Sequence, residues 1–267
     1  LTIALHGYDV YLTDSVPAAL AQTDTWSRDY LDGRVSKGKM TSEQADAARA
    51  RFHLVPTLQQ AAAGSQIVIE AILEDREIKR SFYFELGGIV GEDTILASNS
   101  SYMVSSLFQD CVKTPSRLAN MHFFNPALVL KLVEVVKGEH TAPDTVELIV
   151  EFAKKIGKTP IRVNREIDGF VVNRVLRAIR DEAYFLVEEG VCTPEDLDIG
   201  VELGLNHPMG PFRLLDLTGI DLNYMSMEQR WKDTGIKPHG YDIAKQMYES
   251  HLWGRKTGKG FYTYGET

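Results

Sequence analysis

The sequence predicts an α/β protein in which a doubly wound sheet is followed by an all-helical C-terminal domain. Short apolar runs typical of strands alternate with helical patterns up to residue 163. From Asp168 onwards, the apolar residues recur at helical spacing. We therefore expect a Rossmann-type domain over residues 1–164 and a helical domain over residues 165–267. A chain of 267 residues, of which 44% are hydrophobic, is long enough to bury a core in each.

In the first domain, residues 1–7 are predicted to end a helix, and residues 8–13 are predicted to form a strand. Pro17 then opens a polar helical hairpin over residues 17–52, with a turn around residues 37–39. The remaining predicted elements are a strand at 66–71, a charged helix ending at Leu86, a short strand at 95–97, helices at 104–110 and 143–155, and a strand at 159–163.

In the second domain, residues 169–189 are predicted to form a long helix with Asp168 as its N-cap and Gly190 at its end. Residues 193–196, Thr-Pro-Glu-Asp, have the form of a capping box and predict a helix that ends near Gly204. Two further helices are expected at 212–231 and 241–252.

Composition excludes several classes of protein. A net charge of -8 argues against nucleic acid as the main partner, because phosphate backbones select basic surfaces. The two cysteines, Cys111 and Cys192, lack the spacing of a disulfide framework or a zinc site, so we expect a cytoplasmic protein without a metal. No apolar run reaches the roughly 18 residues of a membrane span, so no membrane partner is expected.

The central chemical feature is His122, which precedes an apolar segment into which Glu134 is set. A carboxylate in an apolar run must reach solvent or find a partner that offsets its desolvation. An imidazole held by a carboxylate is a general base of fixed tautomer, suited to taking a proton from an alcohol. The spacing alone also allows a buried histidine beside a half-exposed strand acid.

Other polar residues follow predicted strands. Asp14, after the strand at 8–13, can bind both ribose hydroxyls of NAD, or it can simply cap the following helix. Residues 98–101, Ser-Asn-Ser-Ser, can face a ligand crevice at the carboxyl edge of the sheet or form a plain polar turn. Lys37 and Lys39 can meet a ligand phosphate or remain solvated.

Six segments together resemble the L-3-hydroxyacyl-CoA dehydrogenase family, in the order that the family has them. They are Glu-Ala-Ile-Leu-Glu at 70–74, Ala-Ser-Asn-Ser-Ser at 97–101, His-Phe-Phe-Asn-Pro to Lys-Leu-Val-Glu-Val at 122–135, Gly-Phe-Val-Val-Asn-Arg at 169–174, His-Pro-Met-Gly-Pro at 207–211 and Gly-Arg-Lys-Thr-Gly-Lys-Gly-Phe-Tyr at 254–262. The resemblance covers the whole chain.

The resemblance implies NAD-dependent, reversible oxidation of a short-chain L-3-hydroxyacyl-CoA thioester to the 3-ketoacyl-CoA, in a homodimer formed through the C-terminal helices. It assigns the chemistry to His122 as the base and Glu134 as its orienting partner, with Ser101 and Asn173 holding substrate oxygens. It further implies that NAD is contacted by Asp14, Glu74, Lys79, Ser101, Asn125 and Lys256, and that the CoA phosphates meet Lys37. No metal is implied.

Two departures from the family pattern bear on these expectations. The family's first strand and its Gly-x-Gly-x-x-Gly loop are absent from this sequence, so the chain as given is expected to bind NAD poorly in calorimetry. Asp168 stands where the family usually has proline. Two alternatives remain: a relative that oxidises a sugar acid or another β-hydroxy acid with the same His/Glu pair, and a non-catalytic, crystallin-like homologue, which the absent loop favours.

Overall fold

The computed structural model describes residues 1–265 and divides the chain into two compact units, Leu1–Val171 and the segment from Val172 onwards. The last two residues of the predicted C-terminal domain, which was expected to run to residue 267, lie outside the described residues. Within the described part of the chain, no helix has the length and hydropathy needed to cross a membrane.

Seven strands lie in the first unit. Strand β1 (Val10–Leu12) pairs in parallel with β2 (Phe52–Leu54). The other five strands form a second sheet in sequence order, and all its pairings are parallel except that of β5 with β6. These strands are β3 (Ile67–Glu70), β4 (Ile95–Ser98), β5 (Leu118–Phe123), β6 (Leu132–Val136) and β7 (Thr159–Val163).

Six helices belong to the same unit: α1 (Thr2–Leu5), α2 (Pro17–Ser36), α3 (Ser42–Ala50), α4 (Leu58–Ala62), α5 (Arg76–Ile89) and α6 (Pro143–Lys155). Helix α6 covers one face of the five-stranded sheet, where Met121 and Val135 lie in the same buried cluster as Ile149. Helix α5 packs on the other face, where Tyr83 and Leu96 share a second cluster. Helices on both faces of a mainly parallel sheet confirm the predicted doubly wound class.

Alternation along the strands separates apolar from polar side chains. Met121 and Val135 point into the core beneath α6, so the residues next to them in sequence, His122 and Glu134, point to the opposite face. Glu70 and Ser98 pair across β3 and β4 at the carboxyl ends of those strands. The α5 face of the sheet therefore ends in a row of polar side chains.

Several expectations from the sequence were wrong in detail. Phe52 begins strand β2 rather than ending the helical hairpin, because its backbone pairs with Val10 of β1. The segment predicted as a helix at 104–110 is a 3₁₀ helix over Ser105–Cys111. The helix predicted to begin at Gly169 begins only at Val172, because Gly169 and Phe170 have positive φ angles of 70° and 48°.

The second unit contains α7 (Val172–Glu188), α8 (Pro194–Gly204), α9 (Pro211–Thr218), α10 (Ile220–Thr234) and α11 (Tyr241–Glu249). The single helix predicted at 212–231 is two helices, because Gly219 between them has a φ of 104°. A Cβ atom at Gly219 would lie 2.7 Å from the Asp221 carboxylate, and the positive φ angle would strain any L side chain at this position. The core of the unit is aromatic, with Tyr184 packed against Phe212 and Phe261.

Asp216, which is 1% exposed on α9, fastens the C-terminal tail to the helices. Its carboxylate accepts hydrogen bonds from the backbone N–H groups of Phe261 and Tyr262, both at 2.9 Å, and from the Tyr264 hydroxyl at 3.0 Å. We predict that Asp216→Ala lowers the free energy of unfolding by about 3 kcal/mol, because the two amides lose a charged acceptor inside the protein. Urea unfolding followed by circular dichroism measures the change.

The matched control for Asp216 is Tyr264→Phe, which removes one of the three donors and leaves the carboxylate in place. Its expected loss is about 1 kcal/mol. Equal losses in the two variants would show that the bonds to the tail amides do not stabilise the unit.

Candidate active site

The antiparallel pairing of β5 with β6 brings His122 and Glu134 together. His122 lies directly opposite Glu134 in the register, so the side chains project from the same face of the sheet although twelve positions separate them in sequence. The His122 Nδ1–H donates to Glu134 Oε2 over 2.9 Å. Because a carboxylate only accepts, this bond leaves the lone pair of neutral His122 on Nε2.

His122 Nε2 faces Ser101, which lies in the loop after β4. The Ser101 hydroxyl donates to Nε2 over 3.1 Å. The second oxygen of Glu134, Oε1, accepts from the backbone N–H of Val171 over 3.0 Å. The glutamate is thus held at both oxygens, and the imidazole presents an accepting nitrogen beside a hydroxyl.

The pair is shielded from water. Glu134 is fully buried and His122 is 4% exposed. The rings of Phe124 and Phe170 lie beside the imidazole, with centroid distances of 4.7 and 5.5 Å. A dry environment strengthens the interaction between a carboxylate and the imidazolium that forms when His122 takes a proton.

A second buried carboxylate, Glu70, ends strand β3. Its Oε1 lies 2.5 Å from the ammonium of Lys79 on α5, and both side chains are 1% exposed. Its Oε2 accepts from the hydroxyls of Ser98 at 2.7 Å and Tyr83 at 3.2 Å. Oε1 also accepts from the backbone N–H of Ile72 at 2.9 Å, so the charge of Glu70 is compensated and its oxygens are satisfied.

Glu74 extends this charge network towards Ser101. Its Oε2 lies 3.4 Å from Lys79, and its Oε1 accepts from the Ser100 hydroxyl and from the N–H of Tyr102 at 3.2 Å. Burial acts to raise the pKa of Glu74. The hydrogen bond from Ser100, the charge of Lys79 and two backbone hydrogen bonds lower it by more, so the pKa is held below its ordinary range. Glu74 is therefore an ionised acceptor at neutral pH.

The depressed pKa of Glu74 gives a pH dependence with a definite sign. A carboxyl whose folded pKa is lowered contributes stability above its unfolded pKa of about 4.3 and loses that contribution as the pH falls further. We predict that the unaltered protein loses more stability between pH 6 and pH 3.5 than Glu74→Gln does. Urea midpoints at the two pH values measure this, and identical slopes would contradict the prediction.

A cavity of about 280 Å³ opens at the carboxyl ends of β3 and β4. Ligands of open α/β sheets bind outside the carboxyl ends of the strands, so this position fits part of a dinucleotide. The cavity offers a cation, a carboxylate and neutral hydroxyl and amide groups, a donor set that suits phosphate, ribose and carboxamide groups. Its lining consists of Ala71, Ile72, Glu74, Lys79, Asn99, Ser100, Ser101 and Tyr102.

The structure does not gather all predicted site residues in this cavity. Asp14 is exposed after β1, and its carboxylate accepts from the N–H of Val16 at 2.8 Å in front of α2. Lys37 is the exposed C-cap of α2. Asn125 is exposed in the segment after β5.

Two further predicted residues, Asn173 and Lys256, lie in the second unit. Asn173 is the second residue of α7. Lys256 lies in a 3₁₀ turn, where its ammonium is 2.5 Å from Asp221 Oδ2. Their assigned contacts with substrate and NAD remain predictions.

Sequence reasoning placed Ser98 in the polar segment that can face a ligand crevice, but it missed Glu70 as a residue of the site. The sequence does contain a pattern that indicates Glu70. This acid ends an apolar strand, much as Glu134 interrupts one, and Lys79 lies one turn into the next helix. Like Glu134, Glu70 is a carboxylate in an apolar strand and needs a partner that offsets its desolvation. The contact of the Phe170 ring with His122 could not be predicted from the sequence, because the orientation of Phe170 depends on a positive φ angle of 48°.

Comparisons with known proteins agree with this geometry. Residues 1–167 match the NAD-binding domain of 3-hydroxyacyl-CoA dehydrogenase, and residues 169–264 match the C-terminal domain of the same family. A probable 3-hydroxybutyryl-CoA dehydrogenase of Deinococcus radiodurans is 36% identical over 264 residues, 98% of this chain and 93% of that protein. A protein of the same description from Bacillus subtilis is 36% identical over 99% of this chain and 92% of its own length.

Solved structures give the same result. The crystal structure of (S)-3-hydroxybutyryl-CoA dehydrogenase from Ralstonia eutropha superposes with a TM-score of 0.89 at 33% identity, covering 99% of this chain and 94% of that one. The match of both domain descriptions over nearly the whole described chain shows the family. The chain therefore belongs to the 3-hydroxyacyl-CoA dehydrogenase family and is an oxidoreductase that uses NAD to oxidise 3-hydroxyacyl-CoA.

Proposed function

We propose that the chain interconverts short-chain L-3-hydroxyacyl-CoA and 3-ketoacyl-CoA, with L-3-hydroxybutyryl-CoA as its substrate and His122 as its general base. The observation that carries the proposal is the fully buried Glu134 bonded to His122 at 2.9 Å, with the unprotonated ring nitrogen accepting from Ser101. Relatives named 3-hydroxybutyryl-CoA dehydrogenase support the short acyl chain.

In this proposal, His122 Nε2 takes the proton of the substrate 3-hydroxyl as the alcohol becomes a ketone. NAD, when bound, accepts the hydride that leaves C3. Glu134 fixes the tautomer that leaves Nε2 free and stabilises the imidazolium by its charge at Nδ1. The Val171 amide keeps Glu134 from turning away, because it occupies the other oxygen.

Ser101 is assigned to the substrate oxygen that reacts. Its hydroxyl donates to Nε2, so it can exchange that bond for one to the substrate oxygen without moving far. Glu74 and Lys79, which line the cavity beside it, are assigned to NAD, with Asp14 and Asn125. By the family pattern, Asn173 is assigned to the substrate, Lys256 to NAD and Lys37 to the CoA phosphates.

The assay that tests the acyl-length proposal follows NADH formation with L-3-hydroxyacyl-CoA thioesters of increasing chain length. We expect kcat/KM to be highest with the four-carbon thioester. A sugar acid and free L-3-hydroxybutyrate serve as comparison substrates, and neither is expected to react, because each lacks the CoA moiety. Higher kcat/KM with long chains would overturn the short-chain assignment, and oxidation of the sugar acid would overturn the substrate class.

A homodimer formed through the C-terminal helices and a cytoplasmic location are part of the same proposal. Val175 on α7 and Leu217 on α9 are 56% and 48% exposed, which is apolar surface that a second subunit would cover. Sedimentation equilibrium is expected to give the mass of two chains. The mass of one chain at micromolar concentration would contradict the dimer.

A further inference from the structure

The buried pair of Glu70 and Lys79 is connected to the segment around Ser101 through the loop after β4. Glu70 Oε2 receives the Ser98 hydroxyl at 2.7 Å. A serine hydroxyl has one hydrogen, so this bond fixes its direction and turns the oxygen lone pairs towards the loop. The Ser98 oxygen then accepts from the N–H of Ser100 at 3.3 Å.

The next two bonds carry the connection to the segment that contains Ser101. The Ser100 hydroxyl donates to Glu74, and its oxygen accepts from the N–H of Met103 at 2.8 Å. Glu74 in turn accepts from the N–H of Tyr102 at 3.2 Å. Both neighbours of Ser101 in sequence are thus held by a network whose buried end is a carboxylate with a lysine partner.

We propose that Glu70 and Ser98 are positioning residues, which hold the loop of residues 99–103 so that the Ser101 hydroxyl stays against His122 Nε2. Glu70 supplies a buried acceptor at a fixed position and thereby orients the Ser98 hydroxyl. The oxygen of that hydroxyl in turn accepts a hydrogen bond from the Ser100 amide of the loop. Neither residue touches the substrate. Glu70 and Ser98 affect the reaction through Ser101, and this part of the proposal rests on the proposed function. Their effect on the order of the loop is independent of that function.

Two fully buried hydroxyl groups that bind the same oxygen provide a matched test. Ser98→Ala and Tyr83→Phe each remove one hydroxyl donor to Glu70 Oε2, and both residues are fully buried. Ser98 is bonded directly to the loop, whereas Tyr83 is connected to it through Glu70 and Ser98. A purely structural role of Glu70 predicts similar behaviour of the two variants, and the positioning role predicts that they differ.

The first measurement is amide hydrogen exchange of a peptide that covers residues 99–103, without substrate. We expect exchange to be at least about tenfold faster in Ser98→Ala than in the unaltered protein, and unchanged in Tyr83→Phe. The same exchange rate in both variants would overturn the proposal. Because no reaction is involved, this result stands even if the protein proves inactive with the CoA thioester, which would refute only the proposed function.

The second measurement is steady-state reduction of acetoacetyl-CoA. Ser98→Ala is expected to lower kcat by about ten- to a hundredfold with little change in KM for the thioester, because a displaced Ser101 weakens the reacting geometry and not the binding of CoA. Tyr83→Phe is expected to keep kcat within about twofold. Unchanged kcat in Ser98→Ala, or an equal fall in both variants, would also overturn the proposal.

Discussion

Replacing His122 by glutamine is expected to lower kcat for acetoacetyl-CoA reduction by about 10²- to 10⁴-fold, the usual contribution of a positioned acid or base. Glutamine has similar reach, and its amide group can still donate to Glu134, so the fold should persist. It cannot exchange a proton with the substrate oxygen. The measurement is NADH oxidation at saturating substrate, with thermal unfolding as the check on folding.

The matched control for His122 is His239→Gln, because His239 is also paired with a glutamate, Glu188, at 3.2 Å but lies on the surface of the second unit. Its kcat is expected to stay within about twofold of the unaltered protein. A fall of less than about tenfold in His122→Gln, with the protein folded, would show that His122 is not the base.

Replacing Lys79 by methionine is expected to give the largest loss of stability, about 3–5 kcal/mol, because it leaves the Glu70 charge buried without its cation. Methionine fills a similar volume, so the loss reflects charge and not a cavity. Urea unfolding followed by circular dichroism measures it. The double variant Glu70→Gln with Lys79→Met removes both charges and should recover part of the lost stability.

The control for Lys79→Met is Lys158→Met, which removes a buried lysine that is bonded to backbone carbonyls instead of a carboxylate. Lys158 is 8% exposed, and its ammonium donates to the backbone carbonyls of Ala127 and Leu130. Only neutral acceptors are left when it is removed, so the expected loss is about 1–3 kcal/mol. If Lys79→Met costs no more than Lys158→Met, the charge pair does not carry the stability assigned to it.

Local patterns predicted most of the elements. Helix α6 and strand β7 were predicted with the same bounds that the structure has, since proline opens α6 and a glycine closes it. Strand β2 was missed, because its three residues have no periodicity of their own and are ordered by pairing with β1. The break at Gly219 was missed for a similar reason, since a single glycine within a helical pattern does not reveal its φ angle.

The His122/Glu134 pair could be predicted from the sequence, but its contacts with Val171 and Phe170 could not. The partnership of His122 with Glu134 was suggested by a single isolated acid in an apolar run and assigned by the family resemblance, and the register of β5 against β6 supplies its geometry. The bond from Val171 and the ring of Phe170 arise from a turn with positive φ angles, which sequence spacing does not encode. Glu70 needed only the same reasoning that was applied to Glu134.

The most direct test of the central claim mixes the purified protein with NADH and acetoacetyl-CoA and follows absorbance at 340 nm, beside the same mixture with free acetoacetate. The family and the buried His122/Glu134 pair predict that absorbance falls with the thioester and stays constant with the free acid. No fall with the thioester while NADH is bound, or a faster fall with the free acid, would contradict the assignment.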